Sequence, residues 1–285
     1  MPRWIAFVAL AVAVVAAPPK FEVASIRPCE PGGTTPSGGG RGGNLEDSSP
    51  GTFNSGCQTV KNHILMAYAT YADGRVHPPP LAPIEGGPGW IDSARYRIVA
   101  KPEGDPSFGI MKGPMMQALL EDRFHLRIRR EIREVAAYAL IVAKNGPKLK
   151  PFQEGSCVDI GFVAPLTKAS PQAAPGRTPI LCGVNSAPQN PPNRTWDLRG
   201  TTLDLFAKTL LSTAVDRPVL NQTGLTGLFD IHLEFAAETT APADDSNGGP
   251  SIFAAVQEQL GLKLEPTKGP KEFLVVERVE KPSEN

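Results

Sequence analysis

The sequence predicts an α+β protein made of two similar units. Each is expected to run strand, helix, strand, helix, strand, strand, with its helices packed on mixed or antiparallel sheets. Three observations predict this. Apolar residues recur at helical spacing in four places, period-2 apolar runs with charged residues between them recur in six, and the pattern before residue 150 returns after residue 195.

The helices come first. Val60, Ile64, Leu65 and Tyr68 share one helical face, as do Met116, Leu119, Leu120 and Phe124. Leu203, Phe206, Ala207, Leu210 and Leu211 follow the i, i+3, i+4, i+7, i+8 pattern, with Thr201 and Asp204 at capping-box spacing. A fourth helix is expected from the N-cap Ser251 through Phe253, Val256 and Leu260 to a left-handed stop at Gly261. Each helix is amphipathic, so each needs an apolar surface to cover.

Strands supply that surface. The alternating sets are Tyr96, Ile98 and Ala100; Leu126, Ile128 and Ile132; Tyr138, Leu140 and Val142; Phe229, Ile231, Leu233 and Phe235; Leu262 and Leu264; and Phe273 and Val275. Arg95, Arg97, Asp230 and Glu234 lie between them, so one face of each sheet is expected to be wet. Residues 123–128 lie over 259–264 with Phe/Leu, Leu/Leu and Ile/Leu at matching core positions, which points to an internal duplication.

The chain has 285 residues, and its 29 Lys+Arg balance 29 Asp+Glu. That neutrality leaves no overall field for gathering nucleic acid or anionic membrane. Gly 28 and Pro 30 make about a fifth of the chain turn-formers, against roughly 12% in average usage, so long loops are expected. The domain plan is a signal peptide at 1–17, a first unit at 18–150 with a Gly-rich insertion at 30–56, a Pro-rich linker at 151–194 and a second unit at 195–285. Arg3 followed by the uncharged, mostly apolar run 4–17 reads as a secretory signal, since as a helix the run rises only about 21 Å, short of a membrane span. No later run is long enough to span a bilayer, and the mature chain is expected in the periplasm or outside the cell.

Cys29, Cys57, Cys157 and Cys182 fit that destination as two disulfides. Four cysteines allow three pairings; Cys29 with Cys57 and Cys157 with Cys182 would each close one Gly/Pro-rich stretch. No C-x-x-C pair or histidine at ligand spacing supports a metal site.

Several stretches together are similar to the soil-associated family of exported bacterial proteins, which is defined by a domain of unknown function. They are Phe21-Glu22-Val23-Ala24-Ser25-Ile26-Arg27-Pro28, Gly86-Gly87-Pro88-Gly89-Trp90-Ile91-Asp92-Ser93, Leu119-Leu120-Glu121-Asp122-Arg123-Phe124 and Tyr138-Ala139-Leu140-Ile141-Val142-Ala143-Lys144. Further on come Arg217-Pro218-Val219, Thr223-Gly224-Leu225-Thr226-Gly227, residues 257–265 and the closing residues 279–285. The resemblance implies a bacterial, exported protein and brings no activity with it.

Motif-marked chemistry is missing. The sequence contains no G-x-S-x-G, S-x-x-K, G-x-x-x-x-G-K-[ST] or H-E-x-x-H. The run Gly38-Gly39-Gly40-Arg41-Gly42-Gly43 satisfies G-x-G-x-x-G, but Pro36-Ser37 precedes it and Asn44-Leu45-Glu46-Asp47 follows, so strand and helix are both wanting and no cofactor is expected. His63, His77, His125 and His232 lie apart and read as structural or surface groups. Arg123, Arg127, Arg129, Arg130 and Arg133 are interleaved with Glu121, Asp122, Glu131 and Glu134, the pattern of a solvated strand face with cross-strand ion pairs; no nucleic-acid partner is expected.

Two loops remain as candidate binding elements, with Gly87, Gly89 and Trp90 in one and Leu225 in the other, each just before a strand. Trp90 is the natural anchor, because a large ring on a stiff loop contributes much contact area at little entropic cost. The expectation is a non-catalytic binding module for an envelope or extracellular partner. The alternative is a secreted hydrolase whose catalytic carboxylates lie far apart in sequence, marked by two carboxyl groups within about 10 Å in one cleft.

Overall fold

The computed structural model describes residues 19–30, 52–158, 180–184, 193–236 and 249–282. The expected signal peptide, the Gly-rich run and most of the linker fall outside these. The chain forms two compact units: one holds the described residues up to 77, residues 84–129 and those from 274 onward, and the other holds 78–83 and 130–273.

In chain order the first unit contains β1 (Phe21–Pro28), β2 (Phe53–Thr59), α1 (Val60–Leu65) running on as a π-helical turn (Met66–Thr70), β3 (Ile84–Gly86), a 3-10 turn (Gly89–Asp92) and β4 (Arg95–Pro102). A helix follows, assembled from α2 (Phe108–Ile110), a π-helical turn (Met111–Met115) and α3 (Met116–Arg123). The 16-residue β5 (Arg127–Val142) then passes into the second unit. There follow β6 (Lys150–Pro151), β7 (Asn193–Thr201), α4 (Leu203–Phe206), a π-helical turn (Ala207–Leu211), α5 (Ser212–Ala214), β8 (Val219–Asn221), β9 (Phe229–Ala236) and α6 (Ile252–Leu260). Finally the 17-residue β10 (Leu262–Arg278) returns to the first unit.

The class is α+β, with antiparallel sheets ordered β1-β4-β2 and β6-β9-β7 and a mixed sheet ordered β3-β10-β5-β8. In the first unit Phe53, Val60, Ile64, Ile98, Met115, Leu120 and Phe124 are almost fully buried, and the Tyr96 ring meets Phe124 edge-on at 5.4 Å. In the second, Trp196, Leu198, Leu203, Phe206, Leu211, Leu233, Val256 and Leu260 form the core. Each such side chain contributes roughly 1.5–3 kcal/mol on leaving water, so the alternating and helical patterns are the main source of stability.

Local chemistry sets the boundaries. Register breaks in β2 between Asn54 and Cys57 and in β7 between Leu198 and Thr201, and each break contains a glycine at positive φ, Gly56 at 68° and Gly200 at 57°. After each break a threonine caps the helix: Thr59 accepts from the Asn62 N–H and Thr202 from the Leu205 N–H, both at 3.1 Å. The cap is thus Thr202 and not Thr201, which is buried one residue earlier at the end of the strand. Ser251 and Gly261, at φ 64°, bound α6 as expected.

Three expectations change. The pairs of strands expected to close each unit are single strands, β5 and β10, with no turn at Gly269, whose missing Cβ makes room for Leu220. Ile132, expected inside, is 73% exposed. In α6 the buried stripe is Ile252, Ala255, Val256 and Leu260, while Phe253 turns out to meet Tyr138 edge-on. Cys29 is bonded to Cys57 and Cys157 to Cys182, and the described residues include no free cysteine.

Candidate functional site

The Trp90 loop is braced from both ends. β3 pairs in parallel with Leu274–Val276 of β10, and the chain then turns through Gly86 and Gly87, both at positive φ. A Cβ on Gly87 would press on Ile91 and Val276, whereas nothing lies within 4 Å of one on Gly89. The Ile91 N–H donates to the Pro88 carbonyl at 3.1 Å and the Ala94 N–H to that of Trp90 at 2.7 Å. Ile91 is buried beneath this turn, so its neighbour Trp90 is left half-buried, with the Lys281 ammonium 5.9 Å from its ring centroid.

The loop at 223–227 also follows a short parallel strand, β8, which pairs with Tyr138–Leu140 of β5. It is tied by its own side chains: Asn221 Oδ1 accepts from the Thr223 hydroxyl at 2.7 Å, and Thr223 Oγ1 accepts from the Leu225 N–H at 3.2 Å. Leu225 packs against the core of the second unit. The two loops thus share a place in the strand order but present different groups, an aromatic ring on one and a turned-in leucine on the other.

Each unit also carries a groove. That of the first, about 490 Å³, is lined by Glu121, His125, Arg127, Glu277 and Arg278. Most of these are occupied: Glu121 accepts from the Tyr68 hydroxyl at 2.8 Å, Glu277 from Arg129 at 2.9 Å, and Arg278 donates to Glu280 at 2.6 Å. The Arg278 guanidinium holds the Glu280 carboxyl below the usual carboxylate range. The second unit's groove, about 370 Å³, lies where Lys148 and Lys150 face Asp197, Arg199, Asp230 and His232. Arg199 reaches Asp230 at 3.3 Å and Asp197 at 3.9 Å, and Asp230 also accepts from the Gly200 N–H at 3.0 Å.

The Asp197 and Asp230 carboxyls thus share the Arg199 guanidinium in one groove, close enough to meet the mark set above for the hydrolase alternative. Asp197, Arg199 and Asp230 were not singled out from sequence: their alternation marks a wet face, but only the register of β7 on β9 brings them to one groove.

The histidines stay apart. His63 is buried and its Nε2–H donates to the Tyr96 carbonyl at 3.1 Å; burial pushes its pKa down to about 4. His77 lies 2.9 Å from Asp73, and its hydrogen bond holds that carboxyl below its ordinary range. His125 stands at the helix-to-strand junction with φ 50°, and His232 is 3.6 Å from Glu234. No group of three or more metal-ligating side chains occurs among the described residues, and no helix there is long and apolar enough to cross a membrane.

A family model matches residues 63–279, which take in both grooves and both loops. The chain belongs to DUF3738, a family of proteins of unknown function. No curated protein and no solved structure matches it. Within the DUF3738 match lie Trp90, Leu225, Arg199 and Asp230, whereas β1 and β2 precede it.

Proposed function

We propose that this chain is an exported bacterial protein, soil-associated in kind, and that it is a non-catalytic binding module for an envelope or extracellular partner, with Trp90 as an anchor. Two disulfides are compatible with an oxidising compartment, and the run 4–17 suits a cleaved signal peptide. The observation that carries the binding reading is the braced presentation of Trp90: Ile91 is buried beneath the loop while the indole stays half-open. A ring so held loses little entropy on contact. The Asp197 and Asp230 carboxyls that share Arg199 in one groove are the feature that favours the hydrolase alternative. We further propose that the two sequence halves descend from one duplicated unit, in support of which both run strand, π-interrupted helix, short strand, strand, helix, long strand.

The test is capture of partners from the native host's envelope fraction by wild type and Trp90→Ala. The variant should weaken capture by about 1 kcal/mol or more and leave the melting temperature nearly unchanged. A fall of many degrees would make Trp90 a packing residue and move the site elsewhere. Hydrolysis in a glycoside, ester and peptide screen, abolished by Asp230→Asn, would replace the binding reading with the enzyme.

A further inference from the structure

We propose that the groove of the second unit binds an extended acidic peptide, which completes the edge of β9 at His232. β7 pairs with β9 from Phe229 to Ala236, whereas on the other side β6 meets only Phe229 and Asp230. Continued in register, β6 would set Lys148 opposite His232; the Lys148 N–H instead donates to the Leu260 carbonyl at 2.8 Å, and the edge is left open there. Further along it is closed again. Gln259 Oε1 accepts from the Glu234 N–H at 3.0 Å and its Nε2–H donates to the Glu234 carbonyl at 2.7 Å, and the Ala236 N–H donates to the Pro250 carbonyl at 2.9 Å. Main-chain groups alternate in direction along a strand, so His232 faces the same edge as Asp230 and Glu234. Its N–H and C=O have no hydrogen-bond partner among the described residues.

A cavity lies at this gap. The groove of about 370 Å³ is lined by Lys150, His232 and Gln259, and by Ile231, whose side chain is buried in the core, so the β9 main chain forms part of its wall. His232 is exposed and is reached from solvent. A strand edge with a free N–H and C=O is a template for another chain, and Gln259 already meets that edge with an amide one pair further on. Charge selects the peptide. Asp197 and Asp230 are engaged by Arg199, while Lys148, which donates to the Glu258 carbonyl at 2.7 Å, and Lys150 are ion-paired with no carboxylate among the described residues. The peptide residue opposite His232 has its side chain on the face that carries Lys150, two strand steps or roughly 7 Å away. A glutamate there brings its carboxylate to the lysines.

The probe is the blocked peptide acetyl-Thr-Val-Glu-Val-Thr-amide, titrated into the whole protein and followed by the backbone amide resonances. In the free protein the His232 N–H should exchange with solvent at least tenfold faster than that of Glu234, which Gln259 covers. The peptide should shift the His232 N–H saturably and slow its exchange. Methylating the nitrogen of the peptide's glutamate, which removes the donor facing the His232 carbonyl, should weaken binding at least tenfold, and so should lysine in place of that glutamate. Lys150→Gln should weaken it severalfold. Trp90→Ala, in the other unit, should leave the titration unchanged, so this site and the Trp90 anchor stand or fall separately. A His232 N–H as protected in the free protein as that of Glu234 would mean that the chain itself fills the gap, and overturns the proposal. So does the absence of a saturable shift, binding undiminished by N-methylation, or a lysine peptide that binds as tightly as the glutamate one.

Discussion

At the scale of single residues, His63 is the group among those described whose chemistry departs most from its ordinary state. It sits on the apolar face of α1 among Val60 and Ile64, where a charged ring would lose its hydration; the Nε2–H bond to the Tyr96 carbonyl favours the charged form but is outweighed by that burial. Its folded pKa of about 4 lies below the ordinary 6.5, so below pH 6.5 the unfolded chain takes up the proton more readily than the folded one. The stability it contributes is fully present above about pH 6.5 and is lost as the pH falls towards 4, on the order of 3 kcal/mol in all. Urea unfolding at pH 7 and pH 5 should show wild type losing more stability than His63→Gln; parallel losses would mean that the ring does not titrate between folded and unfolded states. From sequence, the histidine beside Ile64 was legible only as a structural or surface group. Its depth was not, because position on a helical face says nothing of what covers that face.

Between elements, one close approach is of a kind that no periodicity reports. Gly109 and Gly113 let the helix that begins at α2 lie directly against the loop after α1. A Cβ on Gly109 would run into the Gly74 carbonyl oxygen, and one on Gly113 into that of Tyr71, backbone atoms that cannot rotate away. Gln117 fastens the π-helical turn and the same loop by donating to the Ala67 and Ala72 carbonyls at 2.7 and 2.8 Å. Gly113→Ala should therefore cost roughly 1–3 kcal/mol, as overpacking does. Gly89→Ala, with open space and no positive φ, should be neutral or slightly stabilising. Equal melting temperatures for the two variants would show that the loop yields. The existence and type of the four helices were readable because apolar spacing is a local property; α6 with its Ser251 and Gly261 ends is the clearest case. The π-helical turns, the bulges at Gly56 and Gly200 and the unbroken β5 and β10 were not. Each depends on what packs opposite, as Leu220 does against Gly269.

At the scale of the whole molecule, the order of elements recurs along the sequence, yet neither compact unit is made from one sequence half. β3, from the first half, pairs with β10, from the second, within the first unit; β8, from the second half, pairs with β5, from the first, within the second unit. Sequence periodicity shows that strands exist but carries no information on which strand lies beside which, so this exchange was hidden. It predicts how the protein breaks. Cleavage within 159–179 leaves two fragments that Cys157–Cys182 still joins. The first lacks Leu274 and Val276, buried in its unit; the second lacks Ala137, Ala139 and Leu140, buried in its own. Each large apolar side chain among these is worth roughly 1.5–3 kcal/mol, and their loss, with that of the ladder itself, is comparable to a domain's total stability of about 5–15 kcal/mol. After nicking and reduction the fragments should stay together as one species on gel filtration. Separated in denaturant, each should refold without a cooperative transition, and mixing them should restore it. A single fragment that unfolds cooperatively with native near-UV dichroism would show that one half completes its own core, and that the exchanged strands are decoration on a fold that does not need them.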